Sequence, residues 1–214
     1  SFQALFCLSR RTAEPLLARD AAALAQLQCS CALLQSNRSD DHAAAALARQ
    51  ALRLTRRGGD PRLARAALFI LGQSLREMGQ VAAAQRCYAE SLRRARAEGD
   101  AMGQAMNLHT LAELALLRGR AAEAVALLME SLALQEQHGS VHADTLSDLG
   151  LAQHQAGQPQ AAQASFARAA ALLQPPRAGT EHTVLGCARA WVALDAGRPD
   201  EAAAHCQAAE DGLA

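Results

Sequence analysis

Leucine and alanine recur three and four residues apart along most of the chain, with arginine, glutamine and acidic residues between them. That spacing is the signature of helices with one apolar face. Glycine and proline interrupt it at regular places, and the interruptions divide the chain into pairs of predicted helices. The pairs span 20–36 with 41–57, 61–78 with 81–97, 101–117 with 121–137, 142–156 with 159–173, and 180–196 with 199–213. One more helix is predicted over 2–18, with Phe2, Leu5, Phe6 and Leu8 as its apolar face and Pro15 placed to break it at Glu14. Asp60 and Asp100 stand where they can cap the following helices, with Pro61 at a first helical position, and Ser140 and Thr180 stand in the same place in later pairs. Pro199 opens the last helix, and 174–180 (QPPRAGT) reads as a longer turn, not a domain linker.

The pairs repeat. Gly79, Gly119, Gly157 and Gly197 are each followed five residues on by Ala84, Ala124, Ala162 and Ala202, and four further by Tyr88, Leu128, Phe166 and Cys206. Upstream of three of these glycines two leucines stand three apart with a small residue next: Leu68, Leu71 and Gly72; Leu108, Leu111 and Ala112; Leu146, Leu149 and Gly150. A more worn copy, 42–60, matches 82–100 at an offset of 40, with Ser39 where the glycine would be. Small residues let the two helices of a pair approach closely, and a glycine at the turn supplies the left-handed conformation that ends the first of them. A period of 38 to 40 residues means a stacked array, in which each pair buries its apolar face against the next.

The series Leu68-x-x-Leu71-Gly72…Gly79…Ala84…Tyr88…Ser91-Leu92, repeated at Leu146, Leu149, Gly150, Gly157, Ala162, Phe166 and Ala169, resembles the tetratricopeptide repeat. The unit is longer than that family's usual one. It is similar to the long repeats of bacterial maltose-regulator-type activators, spindle-orientation adaptors and kinesin light chains. The resemblance implies an all-α fold, a right-handed α-solenoid superhelix of about five helix pairs plus an N-terminal helix. Residues 1–19 would be that helix or a half repeat, and 20–214 the array, with repeats near 20–60, 61–100, 101–140, 141–179 and 180–214. It also implies that the first helix of each pair lines a concave groove. Carried over by position, three rows result: Cys29, Phe69, His109, Ser147 and Cys187; Leu33, Gln73, Glu113, Leu151 and Trp191; Asn37, Arg76, Leu116, His154 and Asp195. The candidate groove residues are Phe69, Gln73, Arg76, His109, Glu113, Ser147, His154 and Trp191. Phe69 also reads as inter-helix packing, and Trp191 also reads as core filler. The carboxylate clamp of chaperone-tail binders is not matched, because the chain has no lysine and only Arg76 and Asn37 resemble clamp residues.

Composition supports helices over sheets: 53 alanines and 33 leucines stand in 214 residues, and aromatics are only 3%. No apolar run approaches the ~20 residues of a membrane span, so no membrane partner is expected. All 21 basic residues are arginine, which reads as a high-GC coding bias. The chain opens Ser1-Phe2, which reads as a piece of something longer, and no signal peptide is visible. The zero net charge hides an asymmetry. Residues 1–120 hold 17 arginines against 10 acids, and 121–214 hold 4 against 11. Nucleic-acid binding is not expected, since no basic stripe with stacking aromatics exists.

Cys7, Cys29, Cys31, Cys87, Cys187 and Cys206 form no CxxC pair and read as small core hydrophobes in a reduced, cytoplasmic setting. No metal and no cofactor is expected. HExxH, a phosphate-binding glycine loop and G-x-S-x-G are all missing, so the chain is not expected to be an enzyme. Glu113 follows His109 by four residues and can pair with it on one helix. The leading expectation is a non-catalytic scaffold that binds a peptide or helix of another protein, or of another domain of its own parent chain. A ligand-sensing module of a bacterial transcriptional or signalling regulator is the alternative. Self-association through the oppositely charged halves is a third reading.

Overall fold

A computed structural model describes residues 21–36, 40–55, 60–173 and 180–211. The predicted 2–18 helix, Asn37, Ser39 and the 174–179 turn lie outside these residues. Among the described residues every element is a helix: α1 (Ala21–Ser36), α2 (Asp41–Thr55), α3 (Pro61–Glu77), α4 (Val81–Glu98), α5 (Ala101–Leu116), α6 (Ala121–Gln137), α7 (Ala143–Gln155), α8 (Pro159–Leu172), α9 (Thr180–Asp195) and α10 (Pro199–Asp211). The chain divides into two compact units, Ser1–Asp100 and Ala101–Ala214.

In the first unit α1 packs on α2, α2 on α3 and α3 on α4. Asp60 caps α3 as its position suggests. Its Oδ1 accepts from the Arg62 N–H at 2.8 Å, and Pro61 takes the first helical place where a missing N–H costs nothing. The α3–α4 contact centres on Tyr88, which is fully buried. A Cβ on Gly72 would stand 2.6 Å from the Tyr88 ring, so only glycine lets the ring lie against the α3 backbone. Phe69 flanks the same ring at a centroid distance of 5.6 Å. The Ser91 hydroxyl donates to the Arg65 carbonyl at 3.3 Å, tying α4 back to α3.

The second unit repeats these devices. The Ser131 hydroxyl donates to the Ala105 carbonyl at 2.8 Å, one repeat after Ser91 and Arg65. Phe166 lies on Gly150 as Tyr88 lies on Gly72, with the same 2.6 Å approach to an added Cβ. In the last pair Ala190 and Cys206 stand at the positions of that glycine and aromatic, and a separate close approach brings Ala209 against Gly186. Leu128, Leu146 and Leu149, with Ala112, Ala124 and Ala162, close a continuous core, and Leu108 is fully buried. Arg189, which replaces the leucine of the other repeats, donates from Nη2 to the Phe166 carbonyl at 3.1 Å.

Each predicted turn glycine has the left-handed backbone: Gly79, Gly119, Gly157 and Gly197 have φ between 69° and 75°. The next N–H in each case reaches back five residues, from Gln80 to Leu75, Arg120 to Ala115, Gln158 to Gln153 and Arg198 to Ala193, at 2.8 to 2.9 Å. This is the Schellman closure, which satisfies carbonyls the ended helix would leave open. One capping expectation is corrected. Ser140 does not cap α7; the cap position is His142, whose N–H donates to the Gln135 side-chain oxygen at 3.0 Å. The His142 side chain makes no capping hydrogen bond, and the buried glutamine of the preceding helix instead satisfies the N–H of the cap residue itself.

Candidate functional site

Three first helices of the second unit, α5, α7 and α9, carry the chemistry. α5 packs on α7, and α7 packs on α9. Helical spacing puts His109 and Glu113 on one side of α5, Asp148, Leu151 and His154 on one side of α7, and Val184, Cys187, Trp191 and Asp195 on one side of α9.

The His109 ring bridges α5 and α7. Its Nε2 lies 2.6 Å from Asp148 Oδ2 and 3.9 Å from Glu113 Oε1. A carboxylate only accepts, so Nε2 carries a proton and donates. Nδ1 lies 3.2 Å from the Thr145 hydroxyl, which already accepts from the Gln135 amide at 2.9 Å. In the neutral ring the Thr145 hydroxyl donates to Nδ1 while it accepts from the Gln135 amide, so both ring nitrogens and the hydroxyl have partners. Burial alone pulls the His109 pKa down, but the hydrogen bond and charge of Asp148, with Glu113 and Asp144 adding, outweigh it and leave the pKa raised.

The same device recurs one repeat later. His154 Nε2 donates to Asp195 Oδ2 at 2.9 Å, and the imidazole stands edge-on to Trp191 at 6.3 Å and 88°. Between α7 and α9 lies an open cavity of about 630 Å³. Leu151, Val184, Cys187, Ala188 and Trp191 give it apolar walls, and Asp148 and Thr183 stand at its edge. Trp191 is 48% exposed, which corrects its reading as core filler. Cys187 and Cys206 are exposed as well, so the reading of the cysteines as core hydrophobes holds for buried Cys29 and fails for these two. Burial raises the Cys29 thiol to about 11, so it stays protonated and unreactive.

The structure brings His109 and Glu113 together, and His154 with Trp191. Ser147 is fully buried, and its hydroxyl donates to the Ala143 carbonyl at 2.9 Å. Its neighbour Asp148 takes the place facing His109. Phe69, Gln73 and Arg76 belong to the first unit. There Phe69 and Gln73 are half-buried and Arg76 pairs with Glu77 at 3.0 Å. Sequence reasoning left Asp148 out of the rows, though it follows Ser147 directly. Asp195 shared a row with His154 and was not singled out. Nε2 of His109 and one oxygen each of Glu113 and Asp148 lie within 4.8 Å of one another, a grouping that can hold a metal ion. The direct hydrogen bond already uses the tightest pair of those atoms, and a cation would have to displace its proton.

Residues 62–137 match the model of the tetratricopeptide repeat family, so the chain carries tetratricopeptide repeats there. No curated protein matches the chain in sequence. Solved structures share the fold at low identity. BtubC (BKLC) from P. vanneervenii is 20% identical with a TM-score of 0.77, covering 98% of this chain and 88% of that one. A putative kinesin light chain of Podosopora anserina with nearly identical TPR-like repeats is 16% identical with a TM-score of 0.69, covering 91% and 96%. A Rap protein complexed with competence and sporulation factor is 17% identical with a TM-score of 0.72, covering 95% of this chain and 58% of that one. These likenesses make the fold an all-α, tetratricopeptide-like solenoid.

Proposed function

We propose that this chain is a non-catalytic protein-interaction scaffold, a module of a larger regulatory protein, and that its binding face is the α5–α7–α9 side of the second unit. One observation carries the reading. An exposed apolar patch of Val184, Cys187 and Trp191, with half-buried Leu151 beside it, sits on first helices where His109 is tied to Asp148 and His154 to Asp195. Large aromatic residues left exposed beside apolar neighbours are what a partner buries first. The two histidine–aspartate pairs are joined from helix to helix, and the hydroxyl that meets His109, that of Thr145, is fully buried, which fits cement for a docking surface better than catalysis.

The alternative, a ligand-sensing module, draws on the cavity's size. About 630 Å³ falls within the usual range for small-molecule sites. The half-exposed Trp191 wall favours a macromolecular occupant.

A photo-crosslinking residue in place of Val184, compared with one in place of Met129 on α6, tests the scaffold reading in host cells. Both positions are exposed. A discrete protein adduct from 184 and none from 129 is expected. Adducts from 129 alone would move the interface to the second helices. No adduct from either would overturn the scaffold reading in favour of a small ligand.

A further inference from the structure

Resting on the reading of the α7–α9 face as the binding surface, we infer that the cavity there accepts an aliphatic or aromatic side chain of a peptide whose flanking residues are lysine or arginine.

The walls decide the first half. Leu151, Val184, Ala188 and Trp191 present carbon to the cavity, and Asp148 is the one carboxyl side chain among its lining residues. An apolar side chain entering it removes exposed apolar surface from water, and a polar one would find few partners. The surrounding charge decides the second half. Asp148 lies at the edge, Glu113 and Asp144 act on the same His109, and Asp195 stands one turn beyond Trp191 with a 60% exposed side chain. Among the described residues around the cavity, the His109 and His154 rings each already donate to one of those carboxylates through Oδ2. Each aspartate keeps a second oxygen as acceptor. Arg189, the arginine of α9, is directed to the Phe166 carbonyl, and no arginine lines the cavity. Residues 121–214 carry 4 arginines against 11 acids, so the wider field has the same sign. A guanidinium or ammonium held by Asp148 or Asp195 can also lie over the exposed Trp191 ring. An acidic peptide of equal apolarity meets repulsion at the same points.

The test pans a random dodecapeptide library on the whole chain, with Leu151→Asp as counter-selection and circular dichroism confirming that the variant keeps its helices. Sequences combining a large apolar residue with two or more lysines or arginines are expected. Binding of a synthetic winner is then followed through the emission of Trp191, the only tryptophan. Asp195→Asn and Asp148→Asn should each weaken it about tenfold, and raising salt from about 0.05 to about 0.5 M should weaken it further. Asp195 is exposed, so that variant reports on binding even where Asp148→Asn disturbs the His109 pairing. Enriched peptides that are neutral or acidic, yet lost with Leu151→Asp, would overturn the cationic class and leave the binding face standing. If no peptide depends on Leu151, both fall. If the chain sediments as a salt-sensitive dimer and excludes every peptide, the occupant is a second copy, and the inference is overturned in that direction.

Discussion

The two units bury the same core and hold their polar surfaces together differently. In the first, the ion pairs of Arg65 and of Glu90 stay within one helix pair or one helix. Arg65 of α3 reaches Glu98 at 3.2 Å and Asp100 at 2.6 Å at the end of α4, and Glu90 takes both Arg93 and Arg94 on its own helix. In the second, the histidine ties join successive repeats, α5 to α7 and α7 to α9. Arginine is long, permanently charged and well solvated, so it pairs wherever a neighbouring carboxylate offers itself. Histidine is short and titratable, so its partner must be brought to it by packing. The core repeats because each pair must bury its apolar face in the same way. The cement differs from one unit to the other, and where it is histidine and aspartate it runs beside an uncovered apolar patch.

The comparison is broken most severely through the shared core. Tyr88→Ala and Phe166→Ala should each cost about 3–5 kcal/mol by denaturant titration, since each removes a buried ring lying on a glycine. A small effect at one site only would show that the two junctions are not equivalent. Gln135→Ala comes next, at about 1–3 kcal/mol, because it strips partners from Thr145 and from the His142 N–H. The corresponding residue one repeat earlier is buried Ala95, so the first unit has no such network to lose.

Acid and base should then separate the two kinds of cement. The His109 pKa is raised in the folded chain, so its contribution is fully present below the ordinary value of 6.5 and is lost as pH rises through the raised value. Asp148→Asn should flatten that part of the stability–pH curve, and an unchanged slope would remove His109 from the account. Glu90 behaves oppositely. Its hydrogen bond from Arg93, aided by Arg94, lowers its pKa to about 2 from 4.5, so its contribution is present above 4.5 and is lost between 4.5 and about 2. Glu90→Gln should therefore flatten the stability–pH slope between about 4.5 and about 2, lower stability by a constant amount above 4.5, and leave the neutral-to-alkaline slope alone. The smallest effect belongs to Arg168→Ala, whose bond to Glu136 at 2.6 Å joins two half-exposed side chains. It should change stability by about 0–1 kcal/mol, with the midpoint falling further toward zero in high salt.

Much of this was legible along the chain. The helix ends predicted from caps and turn glycines fall within a residue of those observed wherever both are described. Ala84, Ala124, Ala162 and Ala202, picked out only by spacing, are all buried. The site was legible in part. His154 and Asp195 shared a predicted row, and one step from Ser147 would have found Asp148. Trp191 was ambiguous because a single tryptophan on a helix is consistent with core or surface until its neighbours are placed.

Periodicity, small residues at helix contacts and left-handed turn glycines are local demands of helix geometry, so the sequence alone determined the repeat, its helix pairs and its turns. Which face of α7 meets His109, and that Gln135 rather than Ser140 reaches the start of α7, depended on angles accumulated between helices. One residue shifts a side chain by about 100° around its helix, so an offset of 39 or 41 residues instead of 40 changes which atoms meet. Only the packed tertiary structure decided that, and with it the two histidine–aspartate bridges and the apolar cavity beside them.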